Sequence, residues 1–293
     1  MTINKPEFSI VVPCYNEEGA IEETIDHLTS LISKDRDYEI IVVNDGSTDE
    51  TGKILTDLTS KHTNLNVLTH QKNRGYGAGL KTGIGRARGD LVVITDADGT
   101  YPNERIPELV DLCQDYDMVV GARVGENVTY SKIRKIPKVF LQAWVSWIAG
   151  QHVPDINSGL RVFRRDVAQR FFRILPNSFS FTITITLAML TTYRAVLFEP
   201  INYKARIGNS KIKPIRDTLR FCALIMRTGT YFAPMRVLMP FVWVFAALSA
   251  ASLAFDTFVL QNLSDKTTLL FLATFNTAMF ALLADMIDKR SAR

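Results

Sequence analysis

Short β-branched runs alternate with amphipathic stretches through the first two hundred residues, and two long apolar blocks follow. Phe8 to Pro13 (FSIVVP) and Tyr38 to Val43 (YEIIVV) have the pattern of buried strands, and Asn66 to Thr69 is a weaker run of the same kind. Leu91 to Thr95 and Asp117 to Val120 add a fourth and a fifth. Between them, Glu18 to Ser33 carries apolar residues at 21, 25, 28 and 32, and Asp49 to Ser60 opens on capping residues. Alternating strand and helix predicts an α/β domain with a mostly parallel sheet covered on both faces.

Ligands of such sheets bind beyond the carboxyl ends of the strands, where the loops converge. Three polar clusters stand at those ends: Cys14-Tyr15-Asn16-Glu17, Asn44-Asp45-Gly46-Ser47 and Asp96-Ala97-Asp98. One pocket lined by all three is the expectation.

Beyond Gly121 the pattern changes. Ile133 to Ala149 places Val139, Phe140, Ala143, Trp144, Trp147 and Ile148 at helical spacing behind Arg134, Lys135 and Lys138. Periodicity leaves two readings open, a helix on a membrane surface and an ordinary core helix. Pro214 to Gly229 has an apolar stripe at 215, 219, 222, 223 and 226. Val237 to Phe255 is nineteen uncharged residues and Thr267 to Ala284 another eighteen, joined through a linker, QNLSDK, too short to hold a domain. At about 1.5 Å of rise per residue each block matches roughly the thickness of a bilayer core. Both runs are apolar around their whole circumference, which favours membrane spans over two buried helices of a soluble protein. Arg227 and Arg236 precede the first span, Lys289, Arg290 and Arg293 follow the second, and the linker has Lys266 alone. That asymmetry predicts an integral membrane protein of the plasma or inner membrane, with both termini and the catalytic domain cytoplasmic.

Composition adds less. The formal net charge is +4, with basic residues crowded into 123–138 and 204–236, so a local basic surface matters more than the total. Nucleic acid is not an expected partner. The three cysteines, Cys14, Cys113 and Cys222, are far apart and match no metal spacing, which predicts reduced thiols. The start, MTINKPEF, has no apolar signal core.

The chemistry centres on VVITDADGTYP, residues 92–102, where an apolar run ends on two aspartates. Side chains two apart on an extended backbone share one side, so Asp96 and Asp98 are expected to face one ligand while Ala97 turns away. Two carboxylates held close repel, and Mg2+ or Mn2+ relieves the repulsion, its shell completed by water and phosphate oxygens. A polar turn after a strand is the alternative. The glycine-rich Gly75 to Gly89 stretch fails both the phosphate-loop and the dinucleotide spacing at Leu80, which leaves close helix packing on the sheet, with Asn73 and Arg74 as pocket candidates. Arg123, Arg161, Arg164, Arg206 and Lys211 supply cationic counterparts for phosphate.

The segments FSIVVPCYNEE, IIVVNDGSTDET, NRGYGAGLKTGI, GDLVVITDADGTYP, VVGAR, INSGLRVFRRD and ARIGNSKI, in this order across about residues 8–212, resemble the family 2 glycosyltransferases. Within these, the likeness is to the polyprenyl-phosphate glycosyltransferases of the dolichyl-phosphate mannose synthase type. The resemblance implies a GT-A, Rossmann-like catalytic domain over 1–212, and the apolar patterning beyond it adds an expected juxtamembrane amphipathic helix over 213–235 and a two-helix transmembrane hairpin with a short cytoplasmic tail over 236–293. It implies that Pro13, Tyr15, Glu17 and Asp45 hold the nucleotide and that Asp96 and Asp98 hold the metal. Arg123 and Arg161 would serve the acceptor phosphate region, and Arg206 and Lys211 would clamp phosphates near the membrane. Arg74, Asp96, Ala97 and Ser158 complete the expected substrate-binding set, and Asp98, Arg206, Lys211 and Arg123 form the catalytic one. Family members often read DADLQHP, and here Thr100 stands in the glutamine's place.

The reaction so implied moves a sugar from a nucleotide diphosphate sugar, GDP-mannose or UDP-hexose in type, to polyprenyl phosphate with inversion. Self-association through the hairpin is a further expectation. A polysaccharide or glycerolipid acceptor and a non-catalytic nucleotide-sugar-binding subunit are the alternatives. A QxxRW acceptor motif of the kind found in processive synthases is missing from the chain.

Overall fold

The computed structural model describes residues 5–31, 36–124, 132–203 and 214–291. In chain order its regular elements begin with β1 (Phe8–Cys14), α1 (Ile21–Leu31), β2 (Tyr38–Asn44), α2 (Thr51–Lys61), β3 (Leu65–Thr69) and α3 (Tyr76–Arg86). Next come β4 (Leu91–Ile94), α4 (Ile106–Leu112), β5 (Met118–Ala122), α5 (Lys132–Ala149), β6 (Arg161–Arg164), α6 (Arg165–Arg170), α7 (Phe181–Thr191) and β7 (Val196–Pro200). Three helices close the chain: α8 (Pro214–Phe232), α9 (Pro234–Phe255) and α10 (Asp265–Ser291). All five strands expected from the sequence form.

The strands make one seven-stranded sheet in the order β3-β2-β1-β4-β6-β5-β7. Every pair is parallel except the two that β6 makes, with β4 and with β5. After β1 the chain runs outward through β2 and β3, then returns to lay β4 on the other side of β1. The loops leaving β1 and β4 therefore diverge, which opens the crevice where ligands of open α/β sheets bind.

Alternation along the strands fills both faces. Phe8, Ile10, Val12 and Cys14 join one apolar cluster with Ile21, Ile25 and Leu28 of α1, Leu55 and Leu58 of α2, and Leu109 of α4. Val11, Ile41 and Val43 join the other with Leu80 and Ile84 of α3 and Phe181, Ile185 and Met189 of α7. Gly83 lets α3 lie this close, because a Cβ there would come within 2.3 Å of Val11 Cγ1. The glycine-rich stretch thus serves helix packing on the sheet.

A third cluster joins the α/β body to the C-terminal helices. Val145 and Ile148 of α5, Ile183 and Leu187 of α7, Ile225 of α8 and Val237 of α9 pack together. The two final helices, Pro234–Leu260 and Asp265–Ile287, are long and apolar enough to cross a membrane, their most apolar eighteen-residue windows having mean hydropathies of 2.0 and 1.7. Only 22% and 6% of their most apolar windows are buried in the protein, which separates them from the core helices of a soluble domain. They form a hairpin. Ser249 Oγ lies 3.2 Å from Thr274 Oγ1 and Ser252 Oγ 2.6 Å from Thr267 Oγ1, polar contacts of the kind that hold apolar helices together in lipid. At the turn, Asp256 Oδ2 accepts from the Ser264 N–H and from the Ser264 and Thr267 hydroxyls, each at 2.7 Å.

Candidate active site

The rim at the carboxyl ends of β1, β2 and β4 carries the three polar clusters. Pro13 and Cys14 at the end of β1 are buried, while beyond it Tyr15 is exposed and Glu17 half-buried. The β1 and β2 loops are laced together: the Asn16 N–H donates to Ser47 Oγ at 3.0 Å, the Thr48 N–H to Asn16 Oδ1 at 2.8 Å and the Glu17 N–H to Thr51 Oγ1 at 3.0 Å. Burial, then the charges of Glu17 and Asp49, push the Cys14 thiol up to about 12, so it stays neutral.

Asp45 is buried at the end of β2. Its Oδ1 accepts the Arg74 N–H at 2.9 Å and lies 2.6 Å from His70 Nδ1, and its Oδ2 accepts the Gly75 N–H at 2.8 Å. His70 Nε2 in turn lies 3.0 Å from Thr82 Oγ1. Asp45 therefore fixes the loop between β3 and α3, while the Arg74 side chain points out to solvent. His70 was not foreseen, although it stands directly after a predicted strand, as the three polar clusters do.

The acidic pair lies where β4 ends. Ala97 is buried in the core and its carbonyl accepts the Thr24 hydroxyl at 3.0 Å, while Asp96 and Asp98 are half-buried at the rim. Each carboxylate meets a hydroxyl. Tyr76 Oη donates to Asp96 Oδ1 at 3.0 Å, and Thr100 Oγ1 donates to Asp98 Oδ1 at 2.6 Å, joined there by the Thr100 N–H at 3.2 Å. Burial, then the Asp96 charge, raise the Tyr76 phenol well above its ordinary value and keep it a donor.

The antiparallel strand β6 completes the rim. Ile94 pairs with Arg161 in an antiparallel register, so Asp96, two residues after Ile94, comes opposite Gly159, two residues before Arg161. Likewise Val120 pairs with Arg161 on the β5 side, which brings the segment before β6 against Arg123. The Ser158 hydroxyl donates to the Gly121 carbonyl and the Gly159 N–H to Tyr101 Oη at 2.6 Å. Arg123 makes a two-pronged pair with Asp155, Nε to Oδ2 at 2.7 Å and Nη2 to Oδ1 at 3.0 Å, and its guanidinium lies 5.3 Å from the Tyr203 ring centre. Burial raises the Asp155 carboxyl, but the hydrogen bonds and charge of Arg123 outweigh it and the net position is below the ordinary carboxylate range. Asp155 sits in VPDINSG, a sequence indistinguishable from an ordinary turn.

Arg161 stands apart from the rim surface. Its side chain is fully buried, donating to the Ser158 carbonyl, to the Thr182 carbonyl at 3.2 Å and to Thr186 Oγ1 at 2.9 Å. Desolvation lowers its pKa to about 10. In this position it supports the 158–159 turn from beneath. Arg206 and Lys211 lie outside the described residues.

Asp96 and Asp98 fit a hard divalent cation that takes few protein ligands. Both offer carboxylate oxygen on a rim loop, and among the described residues no group of three His, Cys, Asp or Glu side chains is assembled. Mg2+ and Mn2+ commonly accept one or two carboxylates with water and phosphate oxygens filling the shell.

A mostly parallel sheet with its crevice between β1 and β4 and acidic side chains on that rim defines an α/β domain of the open-sheet class, whose ligands bind at the carboxyl edge. The model of glycosyl transferase family 2 matches residues 9–172, more than half of the 293 residues, and the chain belongs to that family. It is 29% identical to a dolichyl-phosphate beta-glucosyltransferase of Trichomonas vaginalis, over 76% of this chain and 71% of that protein. It is 31% identical to an undecaprenyl-phosphate 4-deoxy-4-formamido-L-arabinose transferase of Proteus mirabilis, over 71% of this chain and 63% of that one. The chain thus spans about two thirds of the length of these relatives. Among solved structures, glucosyl-3-phosphoglycerate synthase from Mycobacterium tuberculosis in complex with UDP superposes with a TM-score of 0.58 at 20% identity, covering 76% of this chain and 80% of that one. That likeness establishes the GT-A-like fold.

Proposed function

We propose that the chain is a membrane-bound inverting glycosyltransferase, which moves a glycosyl group from a nucleotide diphosphate sugar to polyprenyl phosphate. The observation that carries the reading is the pair of rim carboxylates, Asp96 and Asp98, in a chain that ends in two apolar helices long enough to cross a bilayer. Relatives named for dolichyl phosphate and undecaprenyl phosphate support the acceptor class.

Pro13, Tyr15, Glu17, Asp45, Arg74 and Ala97 form the nucleotide side of the crevice in this reading. Asp45 acts there by fixing the Arg74–Gly75 backbone. Asp96 and Asp98 would hold Mg2+ or Mn2+, and the Mycobacterium tuberculosis synthase has been solved with each of these ions. When bound, such an ion neutralises the charge that develops on a diphosphate leaving group.

Arg123, its plane set by Asp155, faces the acceptor phosphate region, with Ser158 and the buried Arg161 shaping the turn beside it. Arg206 and Lys211 clamp phosphates near the bilayer. The acceptor oxygen forms its bond to the anomeric carbon as the bond to the diphosphate breaks, and the electron pair leaves with the nucleoside diphosphate. A phosphate monoester already carries negative charge at neutral pH, so no side chain is assigned as general base. Rate enhancement then rests on positioning and charge compensation.

The catalytic domain covers 1–212, an interfacial helix 213–235 and the hairpin 236–293, with the domain and both termini on the cytoplasmic side of a plasma or inner membrane. Pairing of hairpins from two copies is part of the same reading.

Purified protein offered labelled GDP- and UDP-sugars, short-chain polyprenyl phosphate and Mg2+ or Mn2+ tests it. One donor is expected to yield an acid-labile labelled lipid, and Asp98→Ala to abolish that product while leaving membrane insertion intact. Undiminished transfer by Asp98→Ala, or labelling of a neutral lipid only, would reject the reading.

A further inference from the structure

Tyr76 is the first residue of α3, in a glycine-rich stretch that offers Asn73 and Arg74, but not the tyrosine, as pocket candidates. Its placement is nonetheless closely determined. The segment 176–179 lies across the start of α3: a Cβ on Gly77 would come within 2.2 Å of the Pro176 carbonyl oxygen and one on Gly75 within 2.4 Å of the Asn177 carbonyl oxygen. The Ala78 N–H donates to that Asn177 carbonyl at 3.2 Å, and Lys81 Nζ donates to Asn177 Oδ1 at 3.0 Å.

Phe179 then stacks on Tyr76, ring centres 5.2 Å apart and planes 17° from parallel. The other side of Phe179 is open to solvent, the residue being 72% exposed. An exposed phenylalanine gains little from this place on its own account. Its stacking restricts the Tyr76 ring, and the ring carries the hydroxyl that meets Asp96 Oδ1 at 3.0 Å.

We infer that Tyr76, held by Phe179 and the 176–178 strap, is a positioning residue that sets the Asp96 carboxylate for divalent-cation binding. The inference rests on the metal role proposed for Asp96 and Asp98. A charge-assisted hydrogen bond to one oxygen of a metal-binding carboxylate fixes its rotamer before the ion arrives. Loss of such an outer partner costs about 10- to 100-fold in metal affinity. Thr100 stands toward Asp98 as Tyr76 stands toward Asp96, but its bond is local to one turn, whereas Tyr76 reaches the rim from another element.

The test uses the full chain in detergent and Tyr76→Phe, which keeps the ring and its stacking and removes the hydroxyl. Binding of Mn2+ is followed by the loss of the free-ion paramagnetic resonance signal, with UDP or GDP present. Tyr76→Phe is expected to weaken Mn2+ binding about tenfold or more, with melting temperature and metal-free nucleotide binding unchanged. Phe179→Leu, at a position 72% exposed, is expected to give a smaller loss of the same kind. Mn2+ affinity equal to wild type in Tyr76→Phe would overturn the inference while leaving the metal role standing. Equal affinity in Phe179→Leu would overturn the part given to the strap, and it also serves as the deciding variant if Tyr76→Phe does not fold. Absence of Mn2+ binding by the wild-type chain would overturn the metal role and this inference with it.

Discussion

Gly159 and Asp96 face each other across β6 and β4 so closely that a Cβ on the glycine would stand 2.9 Å from Asp96 Oδ2 and 3.0 Å from Oδ1. The contact is a consequence of the antiparallel register: Ile94 pairs with Arg161, and Asp96 lies two residues after the one and Gly159 two residues before the other. The obstacle to a methyl group here is the end of a side chain, which can rotate. Gly159→Ala is therefore expected to displace the Asp96 carboxylate without unfolding the sheet. Transfer activity should fall about 100-fold, the cost of roughly an ångström of misplacement, and the melting temperature should change little. Wild-type turnover in Gly159→Ala would remove the Asp96 position from the reaction.

The Arg123–Asp155 pair makes a prediction in pH. Asp155 titrates below its ordinary value of 3.8 in the folded protein. A carboxylate whose folded pKa is depressed adds stability that is complete above the unfolded value and is lost as pH falls through the folded one. The contribution is thus present at neutral pH and disappears below about 3.8, on the acid side of the unfolded value. Asp155→Asn should cost about 1–3 kcal/mol at pH 7, because it leaves the Arg123 fork imperfectly paired. Its stability should also vary less with pH below 4 than that of wild type. Melting curves of both proteins from pH 3 to 7 check it, and parallel acid limbs would contradict the assignment.

How much of the fold and site was legible depended on local signals. Leu91 to Thr95 followed by Asp96 and Asp98 announces itself, since a buried strand of a parallel sheet delivers whatever ends it to the ligand rim. β6 does not: it is four residues, RVFR, whose first arginine is fully buried and whose last is exposed. Only the finished fold supplies the Ser158 and Thr182 carbonyls that make the burial of Arg161 tolerable. α7 inverts the usual pattern, because FTITITLAMLT alternates with the period of a strand. It is a helix because Phe181 to Leu190 are all buried among other elements, where hydroxyls at Thr184, Thr186 and Thr191 donate to carbonyls four residues earlier. The sequence shows alternating polarity, whereas in the fold each of these hydroxyls is satisfied within the helix. Asp155, Tyr76 and His70 were hidden for a related reason. Each acquires its role from a partner on a distant element, and no spacing within the chain encodes that.

Trp147 supplies, from the α/β body, the donor that Pro240 denies to one carbonyl of the first apolar helix. Pro240 lies inside α9 and has no N–H, so the carbonyl of Arg236, four residues earlier, lacks its helical donor. Trp147 at the end of α5 supplies one, Nε1 donating to the Arg236 carbonyl oxygen at 3.1 Å. The exchange is mutual, for Arg236 Nη1 donates to the Ile148 carbonyl at 2.9 Å, where α5 runs out of its own donors. Two reciprocal hydrogen bonds thus fix how the body meets the hairpin, beside the apolar cluster to which Ile148 and Val237 both belong. Trp147→Phe should lose about 1 kcal/mol of stability and raise KM for a polyprenyl phosphate acceptor more than it affects donor binding. Pro240→Ala restores an N–H at the orphaned carbonyl, so the double variant Trp147→Phe/Pro240→Ala should recover most of the stability and little of the acceptor KM. Helix repair and body-to-hairpin alignment are separated by that comparison. Recovery of both by the double variant would show that the indole serves only the helix, and recovery of neither that the carbonyl was never its partner.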